Sequence, residues 1–286
     1  MRAFRLAYDG RPFYGYQRQP SVPTVEDALF DGLRALGVLD EEARKPAGYA
    51  AAGRTDAGVS AVAQTVAFDC PDWCTPRALN AELPASVRAW AAADVSENFH
   101  ATHHAVERAY VYDLYAPAAD ASLARAAAAA LSGEHDFHNL TSDDRGTVRD
   151  LSVRVEPDGE FLVLSVSAGG FPYNLVRRLA SLVHAVAAGD RSLSDVETIL
   201  GPGPVTGPEG VPAAPPEPLV LERVVYPEVT FERDPQAVES AANVFERRRR
   251  DGLVRARVAG RVRRGVEGAA DGSGGGESAA GGTGEL

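Results

Sequence analysis

One order of elements occurs twice along this chain, and that repetition narrows the folds open to it. In the first stretch, Phe4, Leu6 and Tyr8 alternate with Arg5 and Ala7 as a half-buried strand ending at the Asp9-Gly10 turn. A Thr-x-x-Asp cap at Thr24 then precedes Val25, Ala28, Leu29, Leu33 and Leu36, spaced for one helix face, and Gly37 can stop that helix. Val62, Gln64, Val66 and Phe68 alternate with Ala63, Thr65 and Ala67 as a second strand, followed by a helix near residues 76–82. The second stretch opens with Tyr110, Tyr112 and Leu114 in alternation and an alanine-rich helix between Asp120 and Gly133. Strands carrying Leu151, Val153 and Val155 and then residues 161–166 flank a Pro157-Asp158-Gly159 turn. A helix over about residues 173–188 turns Leu175, Leu179, Leu182 and Val186 inward, and another, capped by Ser194 with Glu197, runs to Leu200. These patterns predict an α+β fold in two similar halves, residues 1–100 and 101–235. Residues 236–264 read as a helical extension and 265–286, rich in Gly, Ala, Ser and acids, as a disordered tail.

Charge bears on the choice of partner. The net charge of -11 argues at first against a polyanion, because affinity for nucleic acid comes largely from Lys and Arg on phosphates. Yet Lys45 is the sole lysine, and arginine supplies 28 of the 29 basic residues. Arginine suits bidentate phosphate contacts and stacking on bases, so a basic groove within an acidic surface is compatible with this balance. Scarce lysine with abundant Asp, Glu and Ala also fits a salt-rich setting, where screening is severe. Arg247, Arg248, Arg249 and Arg250 suit either a nucleic-acid arm or a helix-terminal charge cluster. The start of the chain lacks a signal peptide's apolar stretch, and no apolar run approaches the ~18 residues needed to span a bilayer, so a cytoplasmic protein is expected. Cys70 and Cys74 offer no disulfide framework, and their spacing to His100, His103, His104, His135 and His138 fits no zinc finger or ribbon; no metal is expected.

The segment Gly53-Arg54-Thr55-Asp56-Ala57-Gly58-Val59-Ser60-Ala61 sets one carboxylate between a base and a hydroxyl where loop meets strand. Glycine removes the Cβ that would hold a backbone off a ligand, so Gly53 and Gly58 suit a functional loop. An ordinary Asp turn with Arg54 in a surface ion pair would use the same residues. Two other segments stand out: Arg108-Ala109-Tyr110-Val111-Tyr112, which also suits cross-strand core pairs, and Gly169-Gly170-Phe171-Pro172-Tyr173-Asn174-Leu175-Val176-Arg177-Arg178, where Arg177 shares a polar helix side with Ser181 and His184.

Together these segments resemble the TruA family of tRNA pseudouridine synthases. Tyr8-Asp9-Gly10 through Phe13-Tyr14-Gly15-Tyr16-Gln17-Arg18-Gln19, Phe99-His100-Ala101, His135-Asp136-Phe137 and Ala214-Pro215-Pro216-Glu217 add to the resemblance, which spans roughly residues 4–227. Tyr16 stands where tryptophan is usual, Thr102 replaces an arginine, and Pro172 replaces an aliphatic residue, departures that bear on the RNA contacts and on the start of the Arg177 helix. The resemblance implies the pseudouridine synthase fold, two ferredoxin-like α+β halves forming a mostly antiparallel sheet with a central cleft. It implies a homodimer that isomerises uridines at positions 38 to 40 of the tRNA anticodon stem-loop without metal or cofactor. By the same resemblance Asp56 is the catalytic carboxylate, Tyr110 stacks on the target base, Arg177 reaches the aspartate, and Arg54 enters the RNA helix as the uridine leaves. Thr55, Arg108, Tyr16 and Gln17 join the substrate-binding set. An Asp56–Arg177 pair would favour the ionised carboxylate. A non-catalytic RNA-binding protein on the same architecture is one alternative; a glycosidase or nucleoside hydrolase is another, though no second acid accompanies Asp56 in its motif.

Overall fold

The computed structural model describes residues 1–205, 207 and 210–271, the last three as backbone only. The alternating pattern at the start forms strand β1, Arg2–Tyr8, and Thr24 caps helix α1, Val25–Ala35. The cap is reciprocal: the Thr24 hydroxyl accepts from the Asp27 N–H at 3.1 Å and donates to the Asp27 carboxylate at 2.6 Å. Short strand β2, Ala50–Ala51, precedes β3, Ser60–Phe68, then helix α2, Pro76–Glu82, and β4, Val87–Asp94. The second half contains β5, Glu107–Tyr115, helix α3, Ala121–Ala130, and β6, Gly133–Asp136. It continues with β7, Val148–Asp158, β8, Phe161–Ala168, helices α4, Leu175–Ala187, and α5, Leu193–Leu200, and β9, Leu219–Val225. Strand β10, Glu232–Arg233, and helix α6, Pro235–Asp271, follow.

Local differences from the sequence reading have identifiable causes. Helix α5 is capped by Ser192 with Asp195 rather than by Ser194 with Glu197; the Ser192 N–H donates to Asp195 at 2.6 Å, and Ser194 lies inside the first turn. Gly133 does not close α3, which ends at Ala130 with Leu131 as its C-cap; its φ of +97° instead starts β6. Helix α4 begins at Leu175, after Pro172 and Asn174, rather than near Tyr173. Helix α6 continues past residue 264 through Asp271, into the stretch read as a disordered tail; residues 272–286 lie outside the described residues.

The strands make one sheet in the order β10-β4-β1-β3-β9-β5-β8-β7-β6, with β2 on β3. All pairings are antiparallel except β9 on β3, where Ser60 faces Val220 and Ala61 faces Leu221. Residues Met1–Ala241 form one compact unit, within which the buried side chains gather into two clusters. Phe4, Leu29 and Phe68 belong to the first, while Leu131, Leu164 and Leu179 belong to the second. Strand β9 follows the second-half helices in sequence, yet Leu221 and Val224 are buried in the first cluster; Val59, from the first half, is buried in the second. Arg5 reinforces this joint from β1. Its guanidinium donates to Val224 O at 2.6 Å and to the Thr65 hydroxyl at 2.7 Å, and it lies 4.1 Å from the centre of the Phe231 ring. Burial pushes its pKa down to about 10, still far above neutrality.

Because β9 contributes to both cores, the halves should unfold together. Leu221→Ala removes a side chain that is 1% exposed and is expected to cost about 2–5 kcal/mol in a single guanidinium transition. Two separated transitions, only one of them displaced, would show that the halves are energetically independent.

Candidate active site

The loop that carries Asp56 is clamped by its neighbours. Tyr16 N–H donates to Thr55 O at 2.9 Å, Gly58 N–H to Phe13 O at 3.3 Å, and Gln64 Nε2 to Gly53 O at 2.8 Å. Beneath the loop the Thr55 hydroxyl meets the buried Tyr8 hydroxyl at 2.7 Å. Glycine is required where the two loops touch. Gly15 has a φ of +104°, and a Cβ there would lie 3.0 Å from Thr55 O; Gly58 has a φ of +82° and would meet Pro216 at the same distance. Gly53 has a negative φ and open space around it, so its role is limited to leaving the backbone uncovered.

Arg177 approaches Asp56 from the second half. Its Nε donates to Ala214 O at 2.7 Å and its Nη1 to Asn174 Oδ1 at 2.9 Å, leaving Nη1 3.5 Å from Asp56 Oδ2. Asn174 is the one non-glycine residue with positive φ among the described residues, at +60°. It sits immediately before α4, and its side chain aims Arg177 instead of capping the helix. Asparagine tolerates this left-handed conformation better than most residues, at a cost of order 1 kcal/mol that the surrounding contacts offset. The ion pair is loose, and burial wins over it: desolvation raises the Asp56 pKa above the ordinary carboxylate value, and Arg177 lowers it only in part. Arg177 favours the ionised form, as expected of the pair, without setting the net direction. Arg177 restrains a rise that burial causes.

Tyr110 reaches the same place through a register shift. Ala109 pairs with Arg223 and Tyr110 with Leu221, so Glu222 is the extra residue of a bulge, a device that re-aims nearby side chains. The Tyr110 ring packs against both core clusters and meets Phe171 edge-on, with ring centres 5.2 Å apart. Burial, then the negative charge of Asp56, push its pKa up to about 12. The phenol is thus neutral at ordinary pH and available as a donor.

Asp56, Tyr110, Arg177, Arg54 and Gln17 all line one cleft of about 630 Å³, a size suited to a small-molecule-sized group. Arg54 and Gln17 are exposed there, and no described residue bonds the Arg54 side chain. Thr55 and Tyr16 also border the cleft, but their polar groups are committed. Tyr16 is 1% exposed, with its hydroxyl 2.6 Å from that of Tyr49, so its ring belongs to the floor and offers no stacking face. Arg108 departs furthest from expectation. Its guanidinium donates to the carbonyls of Ala52, Thr102, Ala105 and Gly169, which ties the stem of the Asp56 loop to the segment entering Phe171. It does not line the cleft, because four inward carbonyls take its donors before any ligand can.

Asn174, Phe171, Tyr8 and Gln64 are absent from the expected set of site residues. For Asn174 the usable signal was an asparagine directly before a helix that Pro172 could not enter. The two other carboxylates bordering the cleft, Glu26 and Asp143, accept the backbone N–H groups of Arg18 and Tyr173.

Known proteins resemble this chain over most of its length. A family model described as tRNA pseudouridine synthase matches residues 127–227. The tRNA pseudouridine synthase A of Natronomonas pharaonis is 62% identical over 91% of this chain and 98% of its own. The proteins of the same name from Haloarcula marismortui and Halobacterium salinarum are each 54% identical, over 93% and 91% of this chain and 100% and 98% of theirs. Among solved structures, the archaeal box H/ACA sRNP Nop10-Cbf5 complex aligns over 62% of this chain and 44% of that chain, at 15% identity and a TM-score of 0.33.

The opposing effects on Asp56 give a direct test. Arg177→Gln removes the guanidinium that lowers its pKa, so the carboxyl resonance should titrate at higher pH than in the wild type. A titration moved to lower pH would show that Arg177 does not stabilise the carboxylate.

Proposed function

This chain belongs to the tRNA pseudouridine synthase A family and isomerises uridine to pseudouridine in tRNA; we propose that Asp56 is the carboxylate that carries the reaction, on uridines 38 to 40 of the anticodon stem-loop. The observation that supports this most directly is the shared cleft, in which a half-buried carboxylate faces a guanidinium at 3.5 Å and a phenol packed on an aromatic ring. The resemblance of the sequence blocks supports the stem-loop positions and a homodimer. Among the described residues no helix is long and apolar enough to cross a membrane, which accords with action in the cytoplasm.

Substrate and product contain the same atoms. The bond between C1′ and N1 breaks with its electron pair on the uracil, the ring turns, C5 bonds to C1′, and the proton from C5 is exchanged for one on N1. What the site supplies is charge and orientation. Asp56, partly desolvated and incompletely neutralised, presents negative charge to a ribose carbon that becomes electron-poor as the base departs. Arg177, held by Ala214 O and Asn174, keeps the carboxylate ionised and orients it. Tyr110 and Phe171 provide an aromatic corner for the freed uracil. The phenol enters neutral, and Asp56 is one of the causes of that. Once the carboxylate charge is taken up against the ribose, this repulsion weakens and the phenol oxygen becomes better able to handle the C5 proton. Arg54, exposed and unbonded at the cleft edge, is placed to fill the gap left in the RNA stack. A paired-carboxylate hydrolase has less support, because Glu26 and Asp143 are engaged by backbone N–H groups.

Purified protein incubated with unmodified tRNA in high salt, with pseudouridine mapped by chemical sequencing, tests the assignment. Asp56→Asn should lower product formation by at least ~10³-fold, while tRNA binding persists; unchanged product would remove Asp56 from the chemistry. Tyr110→Phe should slow single turnover by about 10²-fold or more with tRNA affinity nearly unchanged, and equal rates would reduce Tyr110 to packing. The raised Asp56 pKa means that its proton binds at higher pH than on an ordinary aspartate. The rate should therefore fall on the acid side while the pH is still above the ordinary value of about 3.9. An acid limb at or below that value would contradict the burial argument.

A further inference from the structure

The last described helix carries the opposite charge to the rest of the protein. Residues 246–264 hold nine arginines against the two carboxylates Glu246 and Asp251, a net of +7 within a chain of -11. Glu246 serves Arg249 at 2.7 Å and Arg250 at 2.8 Å, and those two hold its carboxyl down at about 2. Arg247, Arg255, Arg257, Arg261 and Arg264 have no carboxylate partner among the described residues. From Arg249 to Gly268 every described residue is exposed except half-buried Gly260. Helix propensity does little to hold this segment, because Gly252, Gly260, Gly265 and Gly268 each cost about 1 kcal/mol relative to alanine. Repulsion among the arginines adds to that cost, and a polyanion would relieve it.

We propose that α6 binds the ribose-phosphate backbone of the tRNA substrate as a second contact, through residues that are not among those lining the cleft. The proposal rests on tRNA being the substrate, as concluded above, and adds where else the protein holds it. Val254, Val258, Val262 and Val266, each more than half exposed, recur every four residues. Such a row winds around the helix by about 40° per step, so it makes no straight seam for a second copy of α6, whose arginines would also oppose their counterparts. Arg255 falls within the arc of Val262 and Val266, and the segment lacks the bulky aromatic anchors of a helix that lies on lipid. Charge and side-chain type instead fit a polyanion. At high ionic strength, where the Debye length shrinks to about 3 Å at 1 M, attraction at a distance is lost and only direct contact counts. Bidentate guanidinium–phosphate bonds, with arginine stems and valine methyls against ribose, act at that range.

The test replaces Arg247, Arg255, Arg257, Arg261 and Arg264 with glutamine in the full chain, and in a second variant with lysine. Binding of unmodified tRNA is measured between about 0.5 and 2 M KCl, and helicity is followed by circular dichroism. The glutamine variant should bind at least ~10-fold more weakly at the lowest salt, and its log–log salt slope should be shallower by about 2 or more. Its single-turnover rate at saturating enzyme should stay near that of the wild type. The lysine variant keeps the charge and should regain most of the slope, which separates loss of charge from loss of helix. Equal affinity and slope for the glutamine variant and wild type would overturn the proposal. So would unchanged tRNA binding accompanied by loss of self-association, or by loss of binding to anionic phosphatidylglycerol vesicles. Asp56→Asn, run in parallel, keeps the two conclusions apart: product from that variant counts against the catalytic assignment alone, and undiminished binding by the glutamine variant counts against α6 alone.

Discussion

Strand β9 holds the site together. It pairs in parallel with β3 on one edge and antiparallel with β5 on the other, so Ala61, Leu221 and Tyr110 lie in successive strands. Asp56 stands five residues before Ala61, at the loop end of β3. Without β9 the carboxylate and the phenol would sit on separate sheets, and no local feature of either half would bring them to one cleft. The exchange of Val59 for Leu221 and Val224 between the two cores makes this register expensive to slip, since a shift by one residue would turn buried side chains to the wrong face.

At the junction, opposing electrostatic effects are left unresolved in a useful way. A tight Asp–Arg pair would hold the carboxylate firmly ionised and would also quench the charge that the proposed chemistry uses. Here Arg177 gives its shorter bonds to Ala214 and Asn174 and keeps 3.5 Å from Asp56, so burial still dominates. Asn174 sets that distance from an uncommon backbone conformation, as expected where a site needs a geometry that regular structure does not provide. Arg108 does related work one layer back by joining the carbonyls of Ala52 and Gly169, one from each wall.

Much of this could be read from the residues, for reasons that also explain what could not. Strands β1, β3, β5, β7 and β8 and helices α1 and α4 have strong periodicity with caps or turns at their ends, and these are local signals. Strand β9 went unread because Leu-Val-Leu-Glu-Arg-Val-Val lacks clean alternation and follows a proline-rich stretch; its importance lies in partners more than a hundred residues away. The cap of α5 was displaced because Ser192-x-x-Asp195 and Ser194-x-x-Glu197 are two overlapping boxes, between which sequence cannot choose. The cleft residues Asp56, Tyr110 and Arg177 were legible as motifs. Arg108 was not, because five N–H donors serve phosphate or carbonyl equally well and only the fold shows which acceptors are near. Tyr16 misled for a similar reason: an aromatic ring in a loop suits a ligand or a floor, and its bond to Tyr49 makes it floor.

The clamp on the Asp56 loop has a consequence for selectivity. Hydrogen bonds from Tyr16, Gly58 and Gln64, with no room for a Cβ at Gly15, leave that loop little freedom to adapt. Any deformation needed for engagement then falls on the nucleic acid. Discrimination among otherwise similar tRNAs would follow their mechanical compliance at the target nucleotide, favouring softer stems over those that merely match in sequence.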